Sequence, residues 1–445
     1  MKSTYVFLLL ICVGFGVWAG CSLDQVTPNA PAATDVLTTA AGIKAVAIGI
    51  QGQYGETINE TIEASGFAAR QFATMPASVL GLREIETGRG DVQPFNGTVN
   101  NFWSQHYRVV KSAEDLINNV PKVAIADAGT RSGILALARL MKAMALGELI
   151  EVYEQIPVEV TTSLTPRFVN RETALTTVIS LLETARDGIA ATTGTPPSTE
   201  FNTTIIGTGF DLANTIQAMI ARYALIKGDY AKALTAANAV NLNVTSSMFF
   251  NSTTTRNPFY INAIQLLYYK PVRTFRLNAD TLANGQRDGR VAFWVTAGTG
   301  NSFLGTPVDE FAQYRTDASR YYVYLPGEIT LIKAEVAARQ NDLATALTHV
   351  NAVRTKTADA VGITARLNAK TAAELSTQAA MLDEIYKQRY YELFITGLRW
   401  GDSRRFGKPG PEVEPPSARS RTRNWFPYPD AERLANPNVP TDPPL

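Results

Sequence analysis

Apolar residues recur every three to four positions along most of this chain, the spacing of helices that bury one face. Over residues 132–153, Ile134, Leu137, Leu140, Met141, Met144, Leu149 and Val152 make such a face. Arg139, Lys142 and Glu148 stand on the opposite side. The same spacing predicts helices over residues 102–120, over 171–190 (Leu175, Val178, Ile179, Leu182, Ala185) and over 371–396. The last of these carries Leu375, Leu382, Ile385, Tyr386, Leu393 and Phe394, and Gly397 stops it.

An internal repeat organises part of this pattern. Lys227-Gly-Asp-Tyr-Ala-Lys-Ala-Leu-Thr-Ala-Ala-Asn-Ala-Val240 aligns without gaps to Gln340-Asn-Asp-Leu-Ala-Thr-Ala-Leu-Thr-His-Val-Asn-Ala-Val353, with eight of fourteen positions identical. Each copy follows an apolar helical stretch, residues 212–226 and 329–338. Gly228 and Asn341 suit the left-handed position that ends a helix, and Asp229 and Asp342 suit the cap of the next one. Each unit therefore reads as a helix–tight turn–helix hairpin of tetratricopeptide type. Ala221, Ala231, Ala233, Ala334, Ala344 and Ala346 are the expected close-packing positions. A separation of 113 residues between the copies argues against a plain tandem solenoid.

Two regions break the helical pattern: residues 57–98 and 241–324, rich in Gly and Thr with scattered aromatics. Long irregular insertions in a packed domain are more often functional than idle. The expected fold is mainly α. Helical hairpins form a scaffold, and irregular, partly β insertions carry the ligand site, in one domain over residues 35–445.

The two ends modify this picture. Lys2, the apolar run over residues 5–17 and Ala19-Gly20 directly before Cys21 have the layout of a secretory signal. A cysteine at that point makes it a lipoprotein signal. Residues 1–20 are then removed, Cys21 carries lipid, and residues 21–34, with Pro28 and Pro31, form a stalk. Cys12 lies in the discarded segment, so no disulfide or thiol site is expected in the body. Lys+Arg 41 against Asp+Glu 40 leaves a net charge of +1, which argues against nucleic acid as a partner.

Catalytic signals are sparse. The two histidines, His106 and His349, lie far apart in sequence without zinc-ligand spacing, and neither a phosphate loop nor a nucleophile elbow is present. No enzyme activity, metal or cofactor is expected.

The C-terminal third carries a more specific pattern. Ile385-Tyr-Lys-Gln-Arg-Tyr-Tyr-Glu-Leu-Phe-Ile-Thr-Gly-Leu-Arg-Trp-Gly-Asp-Ser-Arg-Arg-Phe406 resembles the signature of SusD/RagB-type nutrient-binding lipoproteins. Pro427-Tyr428-Pro429, Glu432 and Asn436-Pro437-Asn438 are similar to that family's closing segment, and together these span the motif region 385–438. Tyr324-Leu-Pro-Gly-Glu-Ile-Thr-Leu-Ile-Lys-Ala-Glu335 with Asn341-Asp342 and Val353-Arg354 looks like its last hairpin. Residues 136–157 resemble an early helix of the family, and Trp103, Tyr107 and Asn118 fit its order. The chain is short for the family and ends in Val439-Pro-Thr-Asp-Pro-Pro-Leu445.

The resemblance implies an outer-membrane, lipid-anchored protein facing the cell exterior. Its partner is a TonB-dependent, SusC-like transporter, to which it passes a captured nutrient, usually an oligosaccharide. The alternative is a lipid-anchored helical-repeat scaffold that holds a protein or peptide ligand. Sugar binding needs flat apolar rings beside hydrogen-bonding side chains. The insertions supply Arg83, Asp91 and Asn96, with Gln93 and Phe95, in the first, and Tyr260, Tyr268, Trp294 and Phe303, with Asn262, in the second. Trp103 reads as core. Trp400 with Arg399, Asp402 and Arg404 reads as a tie between the tail and the last helix.

Overall fold

The computed structural model describes residues 36–160 and 165–444. Cys21, the signal segment and the stalk lie outside the described residues. Among the described residues no helix is long and apolar enough to cross a membrane.

The first helix, α1 (Ala40–Ala68), corrects the expectation that residues 57–98 are irregular from their start. Thr39 caps it by accepting from the Gly42 amide at 3.1 Å. Ile43, Ala47, Ile50, Tyr54, Ile58 and Ile62 form its buried face. Five glycines dilute that signal in the sequence, and at Gly66 the reason is contact: an added Cβ would run into the Phe72 ring. Strand β1 (Phe72–Thr74) and the short helix α2 (Leu80–Thr87) follow.

The scaffold continues through α3 (Gly97–Asn119), α4 (Ala128–Val152), α5 (Arg171–Ile189), α6 (Leu212–Lys227) and α7 (Tyr230–Ala239), each packed on its predecessor. Between α4 and α5, β2 (Gln155–Pro157) and β3 (Phe168–Asn170) pair antiparallel. The second insertion holds β4 (Ser247–Met248), β5 (Tyr269–Pro271), the turn-length helix α8 (Thr274–Leu277) and α9 (Gly289–Trp294). Strands β6 (Val295–Thr296), β7 (Glu310–Phe311) and β8 (Tyr321–Tyr322) complete it. The chain then returns to the scaffold as α10 (Pro326–Arg339), α11 (Leu343–Arg354) and α12 (Gln378–Glu392), and ends with α13 (Arg399–Arg405) and α14 (Asp430–Ala435).

The two repeat hairpins, α6–α7 and α10–α11, are neighbours in space although separated in sequence, because α10 packs on both α6 and α7. The intervening 241–324 segment loops out of a continuous helical stack. Gly228 ends α6 at φ +89° and Asn341 follows α10 at φ +62°. Asp229 then accepts from the Lys232 amide and Asp342 from the Thr345 amide, each at 3.1 Å. Ala221, Ala233, Ala334 and Ala346 are fully buried at the crossings, whereas Ala231 and Ala344 face outward.

The expected helix over residues 371–396 is shorter, running only through α12. Thr371 and Glu374 close a separate turn, the Thr371 amide donating to Glu374 at 2.8 Å, and Thr377 caps α12 through the Ala380 amide. At the other end, Ile395 at φ +61° and Gly397 at φ +79° turn the chain away. Trp103 is a core residue, as read from the sequence, and Trp400, read as part of a tie between the tail and the last helix, is buried as well.

Candidate functional site

Both insertions meet across one antiparallel ribbon, β1 with β5, in the register Phe72↔Pro271, Ala73↔Lys270 and Thr74↔Tyr269. The pairing extends outward: the Met75 amide donates to Tyr268 O at 2.9 Å and the Phe303 amide to Thr74 O at 2.7 Å. Helix α2 sits above this ribbon and separates two cavities of about 570 Å³ each. Val79, Gly81 and Leu82 at its start line one; Glu86 and Thr87 at its end line the other.

The first cavity is a polar cleft. Glu60 and Glu63 of α1, Asn100, Asn101 and Ser104 of α3, and Asn262 and Tyr268 of the second insertion line it. An irregular helical turn over Tyr260–Gln265 positions the last two, because the Tyr268 amide donates to Asn262 O at 2.9 Å. Asn262 Nδ2 then donates to Glu63 at 3.0 Å, and Asn101 Nδ2 to Glu60 at 2.9 Å.

These two carboxyls stand one helical turn apart, so their charges oppose each other. Burial pushes Glu63 up to about 7, although hydrogen bonds from the Asn262, Asn59 and Tyr269 side chains favour its charged form. Burial and the neighbouring Glu63 charge push Glu60 up to about 8. Near neutral pH the pair therefore retains protons, and the cleft floor presents O–H donors as well as acceptors. That suits a ligand rich in hydroxyls.

The same shifts make stability depend on pH. A carboxyl that keeps its proton to about 7 in the fold but loses it near 4.5 when unfolded weakens the fold as pH rises through that window. The penalty is absent below it and complete above it. Glu63→Gln is therefore expected to raise stability by up to about 3 kcal/mol at pH 8.5 and little at pH 4.5. Thermal unfolding across that range measures it, and a gain independent of pH would refute the assignment.

The residues expected to bind ligand fall into separate environments. Tyr268 lines the cleft. Arg83 and Phe303 come together across the two insertions, the guanidinium 4.0 Å from the ring centroid. Phe303 is 50 % exposed, so this stacked pair forms a surface ridge on α2. Tyr260 is half-buried at the far end of its turn, with Arg256 6.0 Å from its ring. Asp91 is exposed on the short Arg89–Asp91 turn and lines neither cavity.

Two assignments are corrected. Asn96 is the buried cap of α3: it accepts from the Thr98 and Val99 amides at 2.8 and 3.0 Å and donates to Gly81 O and Glu84. Trp294 is 1 % exposed and its indole N–H donates to Tyr391 O at 3.0 Å, leaving no ring face for a ligand. Conversely, Glu60, Glu63, Asn100, Asn101 and Ser104 escaped the sequence reading. A Glu-x-x-Glu pair on one helix face was the available signal, and the helix that carries it was not recognised.

The relationship of this architecture to known proteins is decided by its C-terminal third. Residues 306–441 match the family model described as the SusD family. That segment is similar in sequence to the SusD family. Solved SusD structures extend the likeness over the rest of the fold. A SusD superfamily protein of Bacteroides thetaiotaomicron is 17 % identical with a TM-score of 0.68, covering 90 % of this chain and 99 % of its own. A SusD-like carbohydrate binding protein of Bacteroides fragilis is 12 % identical at 0.67, covering 91 % and 100 %. A SusD superfamily protein of Bacteroides vulgatus is 11 % identical at 0.67, covering 89 % and 98 %. No curated protein sequence matches the chain. The likeness in fold thus extends over about nine-tenths of the chain.

Proposed function

We propose that this chain is a surface-exposed lipoprotein that captures an oligosaccharide in the polar cleft and delivers it to a TonB-dependent outer-membrane transporter. The lining of the cleft carries the reading. Asn100, Asn101, Ser104 and Asn262 offer amide and hydroxyl groups, the Glu60–Glu63 pair offers both donors and acceptors, and Tyr268 offers a ring. Such a set matches sugar hydroxyls and a pyranose face better than an apolar or strongly charged ligand. The Bacteroides fragilis protein of the same fold, described as carbohydrate binding, supports the ligand class. The signal pattern at Cys21 supports the anchor.

Isothermal titration of the full chain against a panel of neutral oligosaccharides tests the cleft. Asn101→Ala combined with Tyr268→Ala is expected to weaken binding at least tenfold, about 1.4 kcal/mol. Binding confined to a peptide library, with none to glycans, would overturn the reading in favour of a peptide-holding scaffold. Gentle solubilisation of native membranes is expected to recover a large β-barrel with the wild-type chain. Palmitate labelling is expected to disappear with Cys21→Ala.

A further inference from the structure

The cavity on the other side of α2 differs in charge from the polar cleft. Three arginines line it, Arg70, Arg399 and Arg419, against one carboxylate, Glu86. Glu86 accepts from the Thr74 amide at 2.9 Å and also from the Thr74 hydroxyl; burial raises its pKa, and the two Thr74 hydrogen bonds oppose that rise. Arg419 is paired with Glu414. Arg70 has no carboxylate partner among the described residues; its guanidinium donates to Pro416 O and Arg419 O, and the charge of Arg419 opposes it.

Arg399 is the more informative group. The sequence reading made it part of the tie between tail and last helix, but its guanidinium lies between two rings of α12. It stands 3.5 Å from the Tyr386 centroid and 4.4 Å from that of Tyr390. Its one hydrogen bond among the described residues runs from Nη1 to Tyr386 O at 2.9 Å, and no carboxylate lies within ion-pair distance. The rings hold the planar group in place and partly offset its lost hydration. A guanidinium sheltered in this way remains short of an anion, and its unused Nε and Nη2 donors have the fork geometry that carboxylates and sulfates accept.

From this arrangement we infer that the cavity is a second binding site, which takes the oxyanion of an acidic saccharide between Arg399 and Arg70. The oxyanion preference rests on the arginines alone. The saccharide rests on the proposed function, supported by Ser417, Ser420, Thr306 and Asn278 on the same wall, which can meet hydroxyls. The site accounts for a positive cavity whose central arginine forms no ion pair among the described residues.

The test is titration of the full chain with galacturonate oligomers, the matched neutral galactose oligomers and a sulfated galactose oligomer. The acidic oligomers are expected to bind at least tenfold more tightly than the neutral ones, with an advantage that shrinks at high salt. Preference for the uronate identifies a carboxylate as the natural group, and preference for the sulfated oligomer identifies a sulfate ester. Arg399→Gln is expected to abolish the preference, and Arg399→Lys to restore it only in part. Arg70→Gln, at an exposed position, gives an independent loss should Arg399→Gln fail to fold. Equal binding of acidic and neutral oligomers, or an undiminished preference in both glutamine variants, would overturn the inference. Neutral-glycan binding that is lost with Asn101→Ala but kept with Arg399→Gln reports on the cleft separately, so either site can fail without the other.

Discussion

Replacing Arg290 by methionine is expected to lower the unfolding free energy by about 3–5 kcal/mol, because it strands buried carboxylates. Arg290 is wholly buried on α9. Its Nη2 donates to Asp288 and to Gln388 at 2.6 Å each, its Nε donates to Asp288 at 3.0 Å, and its Nη1 reaches Glu392 at 3.4 Å. Burial opposes the charge, but Asp288 and Glu392 outweigh it and hold the guanidinium's pKa above its ordinary value. Glu392 also pairs with Lys356, so its charge is shared between the second insertion and the scaffold. Methionine fills the volume but leaves Asp288 without its fork, in a place water cannot reach. Chemical denaturation measures the loss, and a change below about 1 kcal/mol would show that the network adds little. Adding Asp288→Asn to Arg290→Met should recover part of the deficit, since it removes the stranded charge.

Truncation of Trp400 to alanine is expected to cost a similar amount, about 3–5 kcal/mol, for a different reason. The indole is a packing centre where three parts of the chain meet. Its backbone amide donates to Ser65 Oγ of α1 at 3.0 Å, and its indole N–H donates to Arg423 O at 2.7 Å. Its ring lies 5.0 Å from Phe426 and beneath Arg404, whose guanidinium is 4.9 Å away. Removing it opens a cavity that α13 and residues 421–428 cannot both close. Trp400→Phe should cost less, retaining most of the contact while losing the indole hydrogen bond, about 1 kcal/mol on its own. Denaturation curves rank the two variants, and equal losses would mean that packing contributes nothing beyond that bond. Limited proteolysis of the alanine variant is expected to cleave first within residues 421–428.

Both predictions concern the motif that carried the family resemblance. Arg389 and Glu392 are its arginine and glutamate. Arg389 forms a two-point pair with Asp402 at 2.7 and 3.0 Å, while Glu392 anchors Arg290. The motif is a clamp between α12, α13 and the second insertion. Arg399 of that motif lines the positive cavity, and no property of the sequence separates it from Arg404 or Arg405.

Much of the scaffold was legible because its causes are local. Amphipathic spacing in α3 to α5 follows from neighbours three and four residues apart, and Gly228-Asp229 and Asn341-Asp342 end and restart helices through their own backbone preferences. Helix α1 was missed because glycine and threonine lower its local signal, while the contacts that require Gly66 come from a residue beyond the helix. The stacking of α10 on α7 was also hidden, since nothing local says that an 84-residue segment can leave the stack and return to it.

By itself, then, the sequence determined a mainly α chain of helical hairpins, the turns that divide them, the two insertions as the variable part and the SusD-type C-terminal motif. Only the tertiary structure decided which side chains face a ligand. Trp294 and Phe303 have the same standing in the sequence, aromatics nine residues apart in an irregular segment. One is sealed against α12 and the other is half exposed against Arg83. Asn96 and Asn101 are as alike, yet one caps a helix and the other opens into the cleft. The exposure of the two aromatics is set by chain distant in sequence, Tyr391 for Trp294 and Arg83 for Phe303, and short-range pattern carries no record of it.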